Sequence, residues 1–139
     1  MIDSTTRAGA RAVERLGQDL ILWLTTVTPE GQPQTSPVWF LWLDEELLIY
    51  SRANTPRAAN IRANPQVAAN LDGDGGGGDV LSMEGEARIV RERAMLADVP
   101  PAYLEKHAEK LAEYGWTMES MLVDYPMEIR IRPSRIRAW

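Results

Sequence analysis

The alternation of apolar and polar residues changes period several times along this chain, and each change marks an element. Residues Thr5 to Leu16 carry Ala12, Val13 and Leu16 as a modest stripe behind Thr5 or Thr6, which predicts a capped first helix. Leu20 to Thr28 is rich in β-branched and aromatic residues and predicts a strand, ended by the turn residues Pro29-Glu30-Gly31. Gln34 to Leu43 predicts a second strand that forms a hairpin with the first. Asp44-Glu45-Glu46 is the next turn and Leu47 to Ser51 the third strand. Thr55 to Asn64 is punctuated as a short helix, with Thr55 at the cap, Pro56 at the first helical position and Pro65 just past the end. Gln66 to Leu71 is a fourth strand, and Val80 to Val90 a long fifth one whose Gly85 marks a bulge or a barrel corner. Pro101 to Tyr114 and Thr117 to Val123 predict helices. Met127 to Ile136 is the sixth strand, with Ile129 and Ile131 inward and Arg130 and Arg132 outward.

Six strands joined mostly by hairpins avoid exposed edges by closing. The pattern therefore predicts a mainly β architecture, a six-stranded antiparallel barrel with helical decorations. A chain of 139 residues makes one domain and buries about two-thirds of the surface its unfolded form exposes. No repeat and no long linker divides it.

Charge and composition narrow the function. A net charge of −5 argues against a general nucleic-acid binder. The longest apolar run, Leu20 to Leu24, is too short for a membrane span, and the first residues lack a signal-peptide pattern, so a cytoplasmic protein is expected. Without cysteine there are no disulfides or thiolate metal sites. One histidine, His107, stands in a charged helical stretch beside Lys106 and reads as solvent-facing, which leaves a zinc site, a catalytic triad or an axial haem ligand poorly supported. Glu105, Glu109 and Glu113 read as a solvated helix face. Gly75 to Gly78 lacks the Lys-Ser/Thr ending of a phosphate loop and is flanked by Asp74 and Asp79, so it reads as a flexible loop.

The acids are unevenly spread. From Ser51 to Leu71 there is no Asp or Glu, yet Arg52, Arg57 and Arg62 are present, as expected of a segment kept for an anion. Within it, Ser51 to Arg57 joins a strand end to a capped helix start. The positive end of the helix dipole, the Ser51 and Thr55 hydroxyls and the Arg57 fork supply the parts of a phosphate cradle. The same residues serve equally well as an ordinary N-cap with a surface arginine. Upstream, Ser36-Pro37-Val38-Trp39-Phe40 places a proline within a strand, which implies an edge or bulge with backbone groups left for a ligand ring. Trp39 fits a ring-binding role and a plain core role equally.

These residues also carry a resemblance. Gly31-x-Pro33-Gln34-x-Ser36-Pro37-Val38-Trp39-Phe40, then Ser51, then Thr55-Pro56-Arg57-x-x-Asn60-Ile61-x-x-Asn64-Pro65-x-Val67 resembles the pyridoxamine 5′-phosphate oxidase-like superfamily, and is most similar to its deazaflavin-dependent branch. Glu84-Gly85-Glu86-Ala87 and Pro133-x-Arg135-Ile136-Arg137-Ala138-Trp139 match later strands of that pattern. The resemblance implies a split β-barrel homodimer with cofactor sites at the subunit interface. It implies a cofactor phosphate at Ser51, Thr55 and Arg57 with Asn60 nearby, and a ring beside the strand holding Gln34, Ser36, Pro37, Val38 and Trp39. The implied cofactor is the deazaflavin F420, with Arg52 and Arg62 toward its acidic tail, or alternatively FMN. The implied activity is hydride transfer to a small electron-poor acceptor; a non-catalytic flavin or haem binder is the rival. No residue is assigned a catalytic role, and no metal ligand is expected.

Overall fold

The computed structural model describes residues 2–139. Seven strands form one antiparallel sheet: β1 (Ile21–Val27), β2 (Pro33–Trp39), β3 (Leu41–Leu43), β4 (Glu46–Ser51), β5 (Gln66–Asn70), β6 (Leu81–Arg91) and β7 (Met127–Ala138), in the order β2-β1-β5-β6-β7-β4-β3. The two ends of that order, β2 and β3, are neighbours in sequence, separated by Phe40 alone. A sheet whose opposite edges are joined by one residue has to curl until they meet, and this produces a split barrel. The six strands expected from the sequence thus become seven among the described residues, because the single run Gln34 to Leu43 breaks at Phe40. Phe40 turns its fully buried ring into the barrel and passes the chain from one edge to the other.

Four helices decorate the sheet: α1 (Arg7–Gln18), α2 (Pro56–Ala63), α3 (Pro101–Glu113) and α4 (Met118–Asp124). Thr6, Thr55 and Thr117 cap α1, α2 and α4 by accepting a backbone N–H of the first turn. The β3–β4 hairpin turns on Asp44 and Glu45, whose φ values of 53° and 60° suit a tight hairpin turn. Glu46, expected in that turn, instead begins β4, where it receives Arg88.

Two apolar clusters explain why β4 is buried along its whole length. Leu47 and Ile49 face the barrel interior with Leu22, Leu24, Phe40, Ile129 and Ile131. Leu48 and Tyr50 face a second cluster beneath α3 and α4, with Tyr103, Leu111 and Met121. A strand covered on both faces reads as a continuous apolar run, as Leu47 to Tyr50 does. On β6, Gly85 stands where the register to β7 shifts, and a Cβ there would lie 2.7 Å from the Arg132 carbonyl oxygen. That close approach, at a kink between the two longest strands, is the corner its sequence position implied.

Candidate functional site

The site is built where β2, the end of β4 and the start of α2 converge. β2 is an edge strand, bonded only to β1, which is why Pro33 and Pro37 are tolerated in it. Arg57, at the second position of α2, reaches back across both strands. Its Nη1 donates to Ser51 Oγ at 3.0 Å and its Nη2 to Ser36 Oγ at 2.6 Å. The side chain is half-buried rather than the exposed surface arginine the sequence suggests. Its Nε is buried without a hydrogen-bond partner. Among the described residues no carboxylate pairs with it, and burial accordingly lowers its proton affinity from the ordinary arginine value. A cation taken out of water with two neutral hydroxyls for company and no counter-ion is poised for an anion.

The neighbouring side chains divide into those engaged within the fold and those facing outward. Thr55 Oγ1 accepts from Ala58 N at 3.2 Å, so its oxygen caps the helix. Asn60 lies behind the site: both hydrogens of its amide are taken, by Thr26 Oγ1 and Gln34 Oε1, each at 2.9 Å. It therefore fixes Gln34 and is turned inward from any phosphate. Arg62, expected near an acidic cofactor tail, bonds Glu92 at 2.6 Å on another face. Arg52 is exposed and, among the described residues, pairs with no carboxylate. Its guanidinium lies 4.5 Å from the centre of the Tyr125 ring, with Nη2 3.4 Å from the Tyr125 hydroxyl.

Arg57 and Thr55 stand between two hollows. One, of about 350 Å³, is lined by Thr26, Gln34, Thr35, Ser36 and Pro56. The other, of about 530 Å³, runs along Pro37, Val38 and Trp39, with Arg52 at its wall and Tyr114, Trp116 and Tyr125 opposite. Its size falls in the range of small-ligand pockets, and its mainly apolar walls with few polar groups suit a planar ring. Of the residues singled out from the sequence for the cofactor, all but Arg62 share one neighbourhood. The aromatic wall was missed. Tyr114 and Trp116, 58% and 40% exposed, flank Gly115, whose φ of 68° turns the chain out of α3 and projects both rings toward Trp39. Two large aromatics bracketing a glycine at a helix end were the available signal.

One expectation elsewhere is corrected. His107 is fully buried, not solvent-facing: its ring stacks parallel to Trp39 at 5.0 Å and its Nε2 donates to the Phe40 carbonyl at 2.8 Å. Burial pushes its pKa down to about 4, so it is neutral at pH 7. The glycine-rich loop is internally bonded: Asp74 Oδ1 accepts from Gly76 N and Gly78 N, and Asp79 pairs with Arg11 and Arg15.

A curled antiparallel sheet of this order, with helical decorations and a ligand-sized cleft at the β2 edge, defines a split β-barrel. The chain belongs to the pyridoxamine 5′-phosphate oxidase family, whose family model matches residues 9–139. Among solved structures it is similar to a conserved hypothetical protein from Mycobacterium tuberculosis (26% identity, 96% of this chain and 85% of that one, TM-score 0.74). It is also similar to an F420 reductase (24% identity, 89% and 94%, TM-score 0.65). A haem storage protein from Vibrio cholerae shares the fold (19% identity, 96% and 95%, TM-score 0.68). No curated protein matches the chain. No helix of the described residues is long and apolar enough to cross a membrane.

Proposed function

We propose that this protein is a cytoplasmic, homodimeric oxidoreductase that binds the deazaflavin F420 and passes hydride between it and a small electron-poor organic acceptor. The observation that carries this reading is Arg57, a half-buried guanidinium held by two serine hydroxyls with no carboxylate beside it. Its free donor capacity, at the first turn of α2, fits a phosphate monoester. Ser36 and Ser51 orient the fork, and Thr55 holds the helix start in place. The ring fits the larger hollow against Pro37, Val38 and Trp39, where the unpaired side of the β2 edge supplies backbone polar groups.

Reduced deazaflavin, when bound, supplies a hydride to an electron-poor carbon. The protein's own contribution is to orient and to exclude water. Trp39, Trp116 and Tyr125 wall the hollow with apolar surface. His107 is neutral, buried and bonded to a carbonyl, so it serves neither as a haem ligand nor as a surface acid in this reading. Arg52 favours F420 over FMN: it is a second cation on the same hollow without a carboxylate partner, suited to an acidic tail that FMN lacks.

The test is a titration of the purified protein with F420 and with FMN, followed by absorbance and fluorescence. Protein made in a host without deazaflavin is expected to purify largely colourless and then bind F420. Stoichiometric yellow FMN that survives dialysis would overturn the deazaflavin reading. A monomer mass by light scattering at micromolar concentration, with cofactor bound, would refute the dimer.

A further inference from the structure

Phe40 is the one residue joining the two ends of the curled sheet, and its carbonyl is held from outside the barrel. The holder is His107, sixty-seven positions away on α3, whose Nε2 lies 2.8 Å from that oxygen. A carbonyl only accepts, so Nε2 carries the hydrogen and Nδ1 is left with a bare lone pair. Nδ1 is buried and has no partner. The same imidazole lies against the indole of the preceding residue, Trp39, with ring centroids 5.0 Å apart and planes within 1°. Tyr103 packs against the imidazole from its own helix at 4.5 Å. His107 therefore touches both residues of the β2–β3 junction, one by its edge and one by its face. Trp39 in turn lines the larger hollow beside Tyr114 and Trp116.

We propose that His107 is a positioning residue for ligand binding: it holds the Trp39 indole at a fixed angle as one wall of the ring-binding hollow. The stack fixes the indole ring, and the hydrogen bond to Phe40 anchors the imidazole that makes the stack. This rests on the reading that the hollow takes a flavin-type ring, and it goes further by assigning the wall's geometry to a residue that never meets the ligand.

The test separates the two contacts. His107→Phe keeps an aromatic face and loses the donor; His107→Gln keeps a donor and loses the face. Protein labelled with 5-fluorotryptophan reports on Trp39 directly, its resonance assigned through Trp39→Phe. Riboflavin probes the ring alone and inorganic phosphate probes Arg57 alone. In His107→Gln the Trp39 resonance is expected to move and riboflavin affinity to fall roughly three- to tenfold, the scale of one aromatic contact, with phosphate binding unchanged. In His107→Phe the resonance and the riboflavin affinity are expected to stay near wild type. The proposal is overturned if riboflavin affinity survives loss of the stack, or if riboflavin and phosphate affinity fall together, as general loosening would produce. Should His107→Gln fail to fold, His107→Leu takes its place, an apolar residue that suits the buried stripe of α3 but offers no ring to stack, with the same shift and the same selective loss of riboflavin affinity expected and the same results overturning the proposal. Wild type that binds phosphate but no flavin or deazaflavin ring removes the functional reading itself, a distinct result that takes this proposal with it.

Discussion

Two segments of this chain offer backbone amides near a charged side chain, and only one of them leaves its charge without an opposite partner among the described residues. In the glycine-rich loop, Asp74 Oδ1 accepts from Gly76 N at 2.7 Å and Gly78 N at 2.9 Å, so the loop supplies its own anion. At the start of α2 the charge is reversed: Arg57 is a cation whose partners are two hydroxyls, and its Nε is buried without a bond. Glycine content favours the first segment and local chemistry the second. The difference teaches that a binding site is marked by donors and charge the fold leaves unmatched, not by donors as such.

The largest effect that tests this contrast is on Arg57. Arg57→Ala removes a charge-assisted hydrogen bond, worth about 1.5–3 kcal/mol, so affinity for the phosphorylated cofactor is expected to fall roughly tenfold to a hundredfold. Riboflavin, lacking the phosphate, should bind nearly as before. Arg57→Lys should retain part of the affinity as a point charge without the fork. Because the guanidinium is desolvated without a counter-ion, the alanine variant should melt at or above the wild-type temperature. Equal cofactor affinity in wild type and Arg57→Ala, measured by fluorescence titration, would remove the assignment.

Asn60 sharpens the contrast from within α2. Both of its amide hydrogens are engaged, so it belongs with the matched donors although it lies one turn from Arg57. Asn60→Ala is expected to lower unfolding stability by about 1–3 kcal/mol, the range for leaving buried polar partners unmet. Cofactor affinity of the folded fraction should change little. Urea unfolding and titration on the same preparation check it, and a large affinity loss at unchanged stability would place Asn60 in direct contact with the ligand.

How much of this was legible in the sequence follows the range of the interactions. The cap at Thr55, the stop at Pro65, the corner at Gly85 and the inward pair Ile129 and Ile131 depend on neighbours a few positions away, and they were readable. Ser51, Thr55 and Arg57 lie within seven residues of one another, so the cradle could be assembled locally. Phe40 could not be read as a break, because the pattern from Gln34 to Leu43 is strand-like throughout. What breaks it is the curl of the sheet, a property of all seven strands together. His107 was misread because Lys106 and Glu109 surround it in sequence, whereas Tyr103, His107 and Leu111 repeat every fourth position and form the buried stripe of α3. The stripe was available, but a histidine within it counts as apolar only once its nitrogen has found the Phe40 carbonyl.

The smallest expected effect concerns the loop itself. Two backbone amides hold the Asp74 carboxyl below its ordinary range, with the Gly76 bond the larger cause. A carboxyl whose folded pKa is depressed contributes its stabilisation above the unfolded pKa, near 3.9, and loses it as pH falls through the folded value. Between neutral pH and that region the loop should be unchanged, and only in stronger acid should Gly76 and Gly78 lose their acceptor. The amide proton shifts of those two glycines, followed by NMR through an acid titration, should therefore move together with a midpoint under 3.9. The carboxyl is exposed, so global stability should hardly respond, and Asp74→Ala should likewise leave the melting temperature nearly unchanged while the two amides exchange faster. Phosphate binding should be indifferent to that variant. If Asp74→Ala instead created a phosphate site, the loop's own carboxylate would be the element that keeps anions away. A rise in phosphate affinity that persists in the Asp74→Ala, Arg57→Ala double variant would locate that site in the loop, away from α2.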